Sequence, residues 1–461
     1  MSIVKGFMVP HPPLIVSEVG KGAEKQIGKT ISAYKEVAKE IAEIKPDTII
    51  ISSPHADIYS DYFHILNTEY IDGSFERFNA PEVKFHETND LELVYKIDDI
   101  CIEKKFPGVV IKEKDDYLDH GCMVPLYFIR KYLDNFKVII VSLSNESYIK
   151  HYKLGQIIKD AVNDLGRKCV FISSGDLSHK LQYYGPYGFT PEGPKYDKEI
   201  MDIMSKGDFV RLFELDKNLI EKACECGHRS FIIMAGAFDN LNVQSKMFSH
   251  EDVTGVGYGI CSYSPQEEND NRKIVDVYLE HVKKELNKKY KESDEYILLA
   301  KEAIFEYINN NKIIDVPKNT SSDLIDNRYG VFVSIHKFGE LRGCIGTIEP
   351  TMGNVAEEII RNAISASTND YRFRKVIKEE LDFIDINVDV ITNIENIKSI
   401  DELDVKKYGV IVSNETKRGV LLPDLEGIDN VNDQVRIATL KAGLKEDDEK
   451  KLQRFEVIRH K

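Results

Sequence analysis

The chain has 461 residues, 42% of them hydrophobic and 30% charged, which excludes a disordered polypeptide and leaves room for two or three domains. Lys and Arg total 62 against 77 Asp and Glu, a net charge of -15. The deficit is shared, with 31 basic and 39 acidic residues over 1–265 and 31 and 38 beyond, so neither half offers the basic face of a duplex nucleic-acid binder. No apolar run reaches the roughly 18 residues of a membrane span. The start, MSIVKGFMVPHPPLIV, breaks its apolar run at His11-Pro12-Pro13, unlike a secretory segment. Seven scattered cysteines without a CxxC pair read as reduced thiols in a cytoplasmic protein.

Taken in chain order, residues 3–8, 48–52, 137–143 and 168–173 are short, β-branched and predicted as buried strands. Between them lie helical stretches. Over 22–43, Ile27, Ile31, Tyr34, Ala38 and Ile41 recur at spacings of three and four, with Lys and Glu opposite. Alternating strand and helix predicts an α/β unit with a largely parallel or mixed sheet covered by helices. A helix with Pro125 in its first turn is expected just after His120, another over 228–240, and a strand over 255–263. The polar stretch SPQEENDNRK at 264–273 reads as a linker. Residues 274–310 read as two helices. The rest reads as strands near 330–336, 341–347, 384–392, 408–413, 418–422 and 454–459, with helices near 353–367 and 430–444, an α+β unit. The expected division is 1–264, a connecting segment over 265–290, and 291–461.

In open α/β sheets chemistry gathers at the carboxyl ends of strands, and His11, His55 and His179 each follow a predicted strand end by a few residues. Strand ends converge on one crevice, so three histidines in equivalent positions point to a shared site. His120, in DHGCMVPL at 119–126, is a fourth. Neutral imidazoles suit iron, zinc and copper, and a pair of them calls for an anionic third ligand that leaves coordination positions open. Two candidates exist: Glu225 with Cys226, in KACECGHRS at 222–230, and Glu251, in SHEDVTGVGYG at 249–259. The pair is favoured because it precedes a predicted helix, whose N-terminal dipole supports an anion and lowers a thiol pKa. Glu251 instead precedes a strand.

HPP at 11–13, SPHAD at 53–57, DHGCMVPL and SSGDLSHKL at 173–181 together resemble the class III extradiol ring-cleavage dioxygenases of the catalytic-subunit-B type, and the related Memo proteins. The resemblance covers about residues 1–262. It implies that His11 and His55 bind metal, that His179 is the catalytic acid/base and that His120 helps hold substrate. The dioxygenases use a Glu as third ligand and the Memo-type proteins a Cys-Gly; this chain offers both, as Glu225-Cys226-Gly227. A carboxylate there favours Fe(II) and oxygen chemistry, whereas a thiolate favours copper or zinc.

In the second half, GVFVSIHKFGELRGCIGTIEP at 330–350 reads as a strand, a turn at Gly339 and a second strand. Cys344 has Arg342 and His336 nearby in sequence but no partner at catalytic spacing, so a small buried residue in a strand is the preferred reading. LRGCIG at 341–346, NDYRFR at 369–374 and KRGVLLPDLEGI at 417–428 resemble the AMMECR family over about residues 290–461. Tyr371 stands where that family usually has Pro, and Thr439 where it often has Cys. The fusion of the two halves resembles AmmeMemoRadiSam proteins, which implies association with a radical-SAM partner; this chain has no CxxxCxxC cluster motif of its own.

Three functions follow. The first is an Fe(II)-dependent oxidoreductase on a small aromatic or diol-like substrate. The second is a repurposed metal-binding scaffold whose AMMECR half docks a protein. The third is a zinc hydrolase on the same ligands. Nucleic acid and membrane are not expected as partners, and the sequence leaves oligomeric state open.

Overall fold

The β-branched runs become strands because burial on both faces leaves them no polar side: all six residues of Thr48–Ser53 and of Cys169–Ser174 are buried. The structure is a computed structural model and describes residues 2–109, 117–425 and 427–461. The chain divides into two units, Met1–Tyr278 and Leu279–Lys461.

The first unit is built on β1 (Ile3–Val9), α1 (Gly28–Ile44), β2 (Thr48–Ser53), α2 (Leu91–Glu103), α3 (His120–Ile129), β3 (Lys137–Ser142), α4 (Tyr148–Asp164), β4 (Cys169–Ser174), α5 (Glu192–Lys206), α6 (His228–Ala237), β5 (Leu241–Glu251) and β6 (Tyr258–Glu268). The sheet order is β3-β2-β4-β1-β6-β5; the first four strands are parallel, and β6 and β5 run antiparallel beside β1. This is the mixed, helix-covered sheet that the alternating pattern predicts. Register brings the strand ends level: Val9 pairs with Ser174, and Ser52 with Ser173. The segments following β1, β2 and β4 therefore emerge side by side. On α1, Tyr34, Val37, Ala38 and Ile41 face a core that includes Phe7, Ile49, Ile51 and Ile172.

Several boundaries differ from expectation for local reasons. Ala23–Ile27 is a 3-10 turn, and α1 starts only at Gly28. The stretch 264–273, expected as a linker, belongs in part to the sheet. β6 continues through Glu268, with Ser264 paired to Gln244 and Pro265 to Val243, and a 3-10 turn follows at Asp270–Arg272. Its polar composition reflects the exposed end of an antiparallel pair rather than a break in structure. Pro125 lies in the second turn of α3, not the first. The helix expected over 228–240 ends at Ala237.

The second unit contains α7 (Ile274–Glu292), whose first turn belongs to the first unit, then α8 (Glu295–Asn310), β7 (Gly330–Lys337), β8 (Glu340–Gly346), α9 (Val355–Thr368), β9 (Ile384–Ile397), β10 (Gly409–Ser413), β11 (Arg418–Leu421), α10 (Val431–Lys441) and β12 (Lys451–His460). Its six strands form a separate, wholly antiparallel sheet in the order β8-β7-β9-β12-β10-β11. Val331, Val333 and Ile335 of β7 alternate inward against Ile297, Ala300 and Ile304 of α8 and Ile359 and Ala363 of α9. Glu426, within the KRGVLLPDLEGI block, lies outside the described residues.

Candidate metal centre

His11 and His55 stand two residues past the ends of β1 and β2, and level strand ends bring their rings together. The two Nε2 atoms are 3.0 Å apart, and Cys226 Sγ, from the turn before α6, lies 3.5 Å from His11 Nε2. Among the described residues, His11, His55 and Cys226 form a group whose ligand atoms all lie within 4.8 Å of one another. A tetrahedral ion with bonds of about 2.0–2.1 Å to nitrogen and about 2.3 Å to sulfur separates its donors by roughly 3.3–3.6 Å. Two of the three separations lie close to that range and the third within 4.8 Å, so the three atoms are placed to share one metal.

The His11 ring is oriented from behind. Ser174 Oγ donates to the carbonyl of Gly121 at 2.6 Å, so its oxygen is free to accept only from His11 Nδ1, 2.9 Å away. That fixes the proton on Nδ1 and leaves the Nε2 lone pair facing the cluster. Gly121 O is available because the residue four positions on is Pro125, which has no N–H to close the helical bond. The proline thus frees the acceptor that positions Ser174, which in turn orients His11. Ser174→Ala is expected to weaken metal binding about 10–100-fold with the fold intact. Metal titration against a competing chelator checks this, and an unchanged affinity would remove the relay from the account.

Cys226 is held by a backbone crossing. A Cβ at Gly175 would fall 2.1 Å from Gly227 Cα, and one at Gly227 would fall 2.9 Å from Gly175 Cα. Only paired glycines let the chain after β4 pass this close to the turn before α6. At the crossing the Asp176 N–H donates to Cys226 Sγ at 3.2 Å, while the Asp176 carboxylate accepts from His11 N–H at 2.8 Å. Gly175→Ala is expected to cost about 1–3 kcal/mol by overpacking and to loosen the metal site. The denaturant midpoint reads the first effect and metal titration the second.

The structure separates the two acidic candidates at 225–226. Glu225 turns away from the histidines and caps α6, accepting from His228 N–H at 2.5 Å. Burial pushes its carboxyl up to about 7. Glu251 lies elsewhere, accepting from Thr30 N–H at 2.9 Å and Thr30 Oγ1 at 2.8 Å near the start of α1. The expected lowering of the Cys226 thiol by the α6 dipole is not what dominates. Burial first, and then the Asp176 and Glu225 carboxylates, push it up, and only the Asp176 N–H opposes them.

His120 and His179 are outside the donor group but beside it. His120 starts α3, where Asp119 caps the helix by accepting from Gly121 N–H and Cys122 N–H. Its ring stacks on His55 at 4.1 Å between centroids and meets Phe78 edge-on at 5.4 Å. Burial, and then the His55 charge, lower its pKa to about 3; the same two causes lower His179 to about 4. Burial also takes His11 well below its ordinary value, with smaller effects from the other three rings. All these imidazoles are neutral at physiological pH, the form that binds metal or accepts a proton. A cavity of about 760 Å³ opens beside His55 and His120, with Leu66 and Met123 as apolar wall and Arg77 and Asp57 at polar positions.

Both halves of the chain match known families. The family described as the catalytic LigB subunit of aromatic ring-opening dioxygenase matches residues 5–261. The chain belongs to that family. The AMMECR1 family matches residues 297–460, so a LigB domain is followed by an AMMECR1 domain. A protein of Clostridium acetobutylicum is 41% identical over 470 residues, covering 100% of both chains. A Thermotoga maritima protein is 48% identical over 168 residues, 36% of this chain and 97% of its own. The 2-aminophenol 1,6-dioxygenase beta subunit of a Pseudomonas species is 24% identical over 291 residues, 57% of this chain and 94% of its own. Among the described residues no helix is long and apolar enough to cross a membrane.

In the AMMECR1 domain the LRGCIG residues have structural partners. Arg342 forms a two-pronged pair with Glu380, at 3.0 and 2.9 Å, and also donates to the carbonyls of Arg374 and Lys375. The half-buried Cys344 thiol accepts from Ser334 Oγ at 3.2 Å, and its backbone N–H donates to the buried Asp370, which pairs with Arg372. Burial raises the thiol pKa against the opposing effects of Ser334 and Arg372. His336 lies on β7 and is paired with Leu341. Tyr371, at the usual Pro position, is 94% exposed, so the change costs no packing. Thr439 is buried and donates to Val435 O at 2.7 Å.

Sequence reasoning missed Ser174, Asp176 and Asp119. A signal was present: ISSP and ISSGD put paired serines at two strand ends, where buried hydroxyls must find partners.

Proposed function

We propose that the LigB domain is a non-haem metal-dependent oxidoreductase of the extradiol ring-cleavage type, acting on a small aromatic diol or aminophenol. His11, His55 and Cys226 would hold the metal. A bound metal of this kind supplies Lewis acidity towards the substrate oxygens and, as Fe(II), a redox partner for dioxygen. His179 takes a proton from a substrate hydroxyl and later returns it, a role suited to its neutral ring, whose nitrogens make no hydrogen bond among the described residues. His120 lines the substrate cavity and holds the ring of the substrate against Phe78.

The observation that carries this reading is the division of labour among four neighbouring histidines. Two bring a ring nitrogen within 4.8 Å of the Cys226 thiol, and two remain outside the donor group, of which His120 lines a cavity large enough for a single aromatic ring. A purely structural metal would require no such surplus. The name of the Pseudomonas relative supports an aminophenol as substrate.

A second reading rests on Cys226. A thiolate at the third position favours copper or zinc, and the domain would then be a metal-binding scaffold or a zinc hydrolase, with the AMMECR1 domain docking a protein such as a radical-SAM enzyme. Metal analysis of protein purified without oxygen, combined with oxygen uptake on catechol and 2-aminophenol, separates the readings. Stoichiometric iron with substrate-dependent oxygen consumption is expected. Stoichiometric zinc or copper without oxygen uptake would favour the second.

A further inference from the structure

Three buried imidazoles of this domain are oriented through a ring nitrogen, whereas at the buried His64 neither nitrogen has a hydrogen-bond partner among the described residues. His11 uses Ser174, His151 the carbonyl of Ser147, and His228 the carbonyl of Leu212. His179, like His64, lacks such a bond. Its backbone N–H donates to Ala223 O at 3.0 Å, but among the described residues neither ring nitrogen has a hydrogen-bond partner. An acid/base group must be held within a fraction of an ångström, and where neither nitrogen is hydrogen-bonded to the protein, packing has to do it. The ring that packs on it is Tyr187, nearly parallel at 23° with centroids 5.0 Å apart.

Tyr187 sits in the loop QYYGPYGF at 182–189, and the loop is braced rather than loose. Leu181 bridges to Phe189 at its base, Leu181 N–H donates to Gly255 O, and Thr190 N–H donates to Lys180 O. Lys180 Nζ donates to the carbonyl of Tyr187 itself. The loop tip is seated by a backbone contact: a Cβ on Gly255, whose φ is +83°, would fall 2.8 Å from Gly185 Cα. For all this bracing the Tyr187 side chain is 54% exposed, so it contributes little to the core. Its ordered position serves the ring beneath it.

We propose that Tyr187 is a positioning residue for His179: its ring, fixed by the braced 182–189 loop, stacks on the imidazole and holds it with both nitrogens free of protein hydrogen bonds. The proposal rests on the acid/base reading of His179 given above. It assigns the work to the aromatic face, so the hydroxyl is dispensable.

The test uses full-length protein labelled with 13C at histidine Cε1, with the His179 resonance identified by its loss in His179→Gln. Tyr187→Leu is expected to shift that resonance by removing the ring current, and to lower kcat about 10- to 100-fold at little change in KM. Tyr187→Phe is expected to keep both resonance and rate, at equal metal content. An unmoved resonance in Tyr187→Leu, an unchanged kcat despite a moved resonance, or an equal loss in Tyr187→Phe would each overturn the proposal. Unchanged turnover in His179→Gln would instead overturn the acid/base reading. If wild-type protein turns over neither catechol nor 2-aminophenol, the activity reading falls, and the resonance alone decides whether the stack holds the ring.

Discussion

Cys226→Ala is expected to abolish stoichiometric metal binding, whereas Glu225→Gln and Glu251→Gln retain it. The ligand atoms decide this. Cys226 Sγ lies with His11 and His55 inside a 4.8 Å group, and neither carboxylate belongs to it. Removing one of three protein donors should weaken binding by more than the about 10–100-fold that loss of a supporting hydrogen bond costs. Glu225 is expected to be tolerant because a glutamine oxygen still accepts the His228 N–H that the carboxylate now holds. Burial already pushes this carboxyl up to about 7, so a neutral amide departs little from its state near neutral pH. Glu251→Gln removes charge only from the Thr30 contact. Metal content after purification and competitive titration are the measurements. Metal lost from Glu225→Gln but kept by Cys226→Ala would reverse the assignment and restore a carboxylate centre.

The parts of this molecule that were legible in the sequence are those set by short-range pattern. Runs such as TIIISS and CVFISS have one stable outcome, a strand buried on both faces, and residues just beyond such strands must come together once the strands lie side by side. What stayed hidden depends on direction and on through-space contact. Glu225 and Cys226 are adjacent, and which one faces His11 is settled by the Gly175–Gly227 crossing, between residues 52 positions apart. Pro125 reads in sequence as helix-start punctuation; its effect is to free Gly121 O for a serine on another strand. The expected low thiol pKa failed because the dipole argument considers one helix and ignores burial and two nearby carboxylates. The polar run 264–273 looked like a linker because composition does not distinguish a loop from the exposed end of an antiparallel pair.

His179→Gln is expected to lower turnover by about 10²–10⁴-fold while leaving metal content unchanged, the range a positioned acid/base group contributes. Its ring is not one of the three clustered donors, so its loss should not release the metal. The pH profile supplies a second, independent check. Burial first, and then the neighbouring His55, lower His179 to about 4, so the free enzyme carries it neutral at every pH well above that. A neutral imidazole is the form that accepts the substrate proton; protonation removes the base. The acidic limb of kcat/KM should therefore fall near pH 4 rather than near the ordinary histidine value of about 6.5. In His179→Gln that limb should disappear from the residual rate. Loss of metal from this variant would make His179 a ligand instead, and an acidic limb that persists unchanged would assign the base to another group, with His120, lowered to about 3, the next ring to substitute.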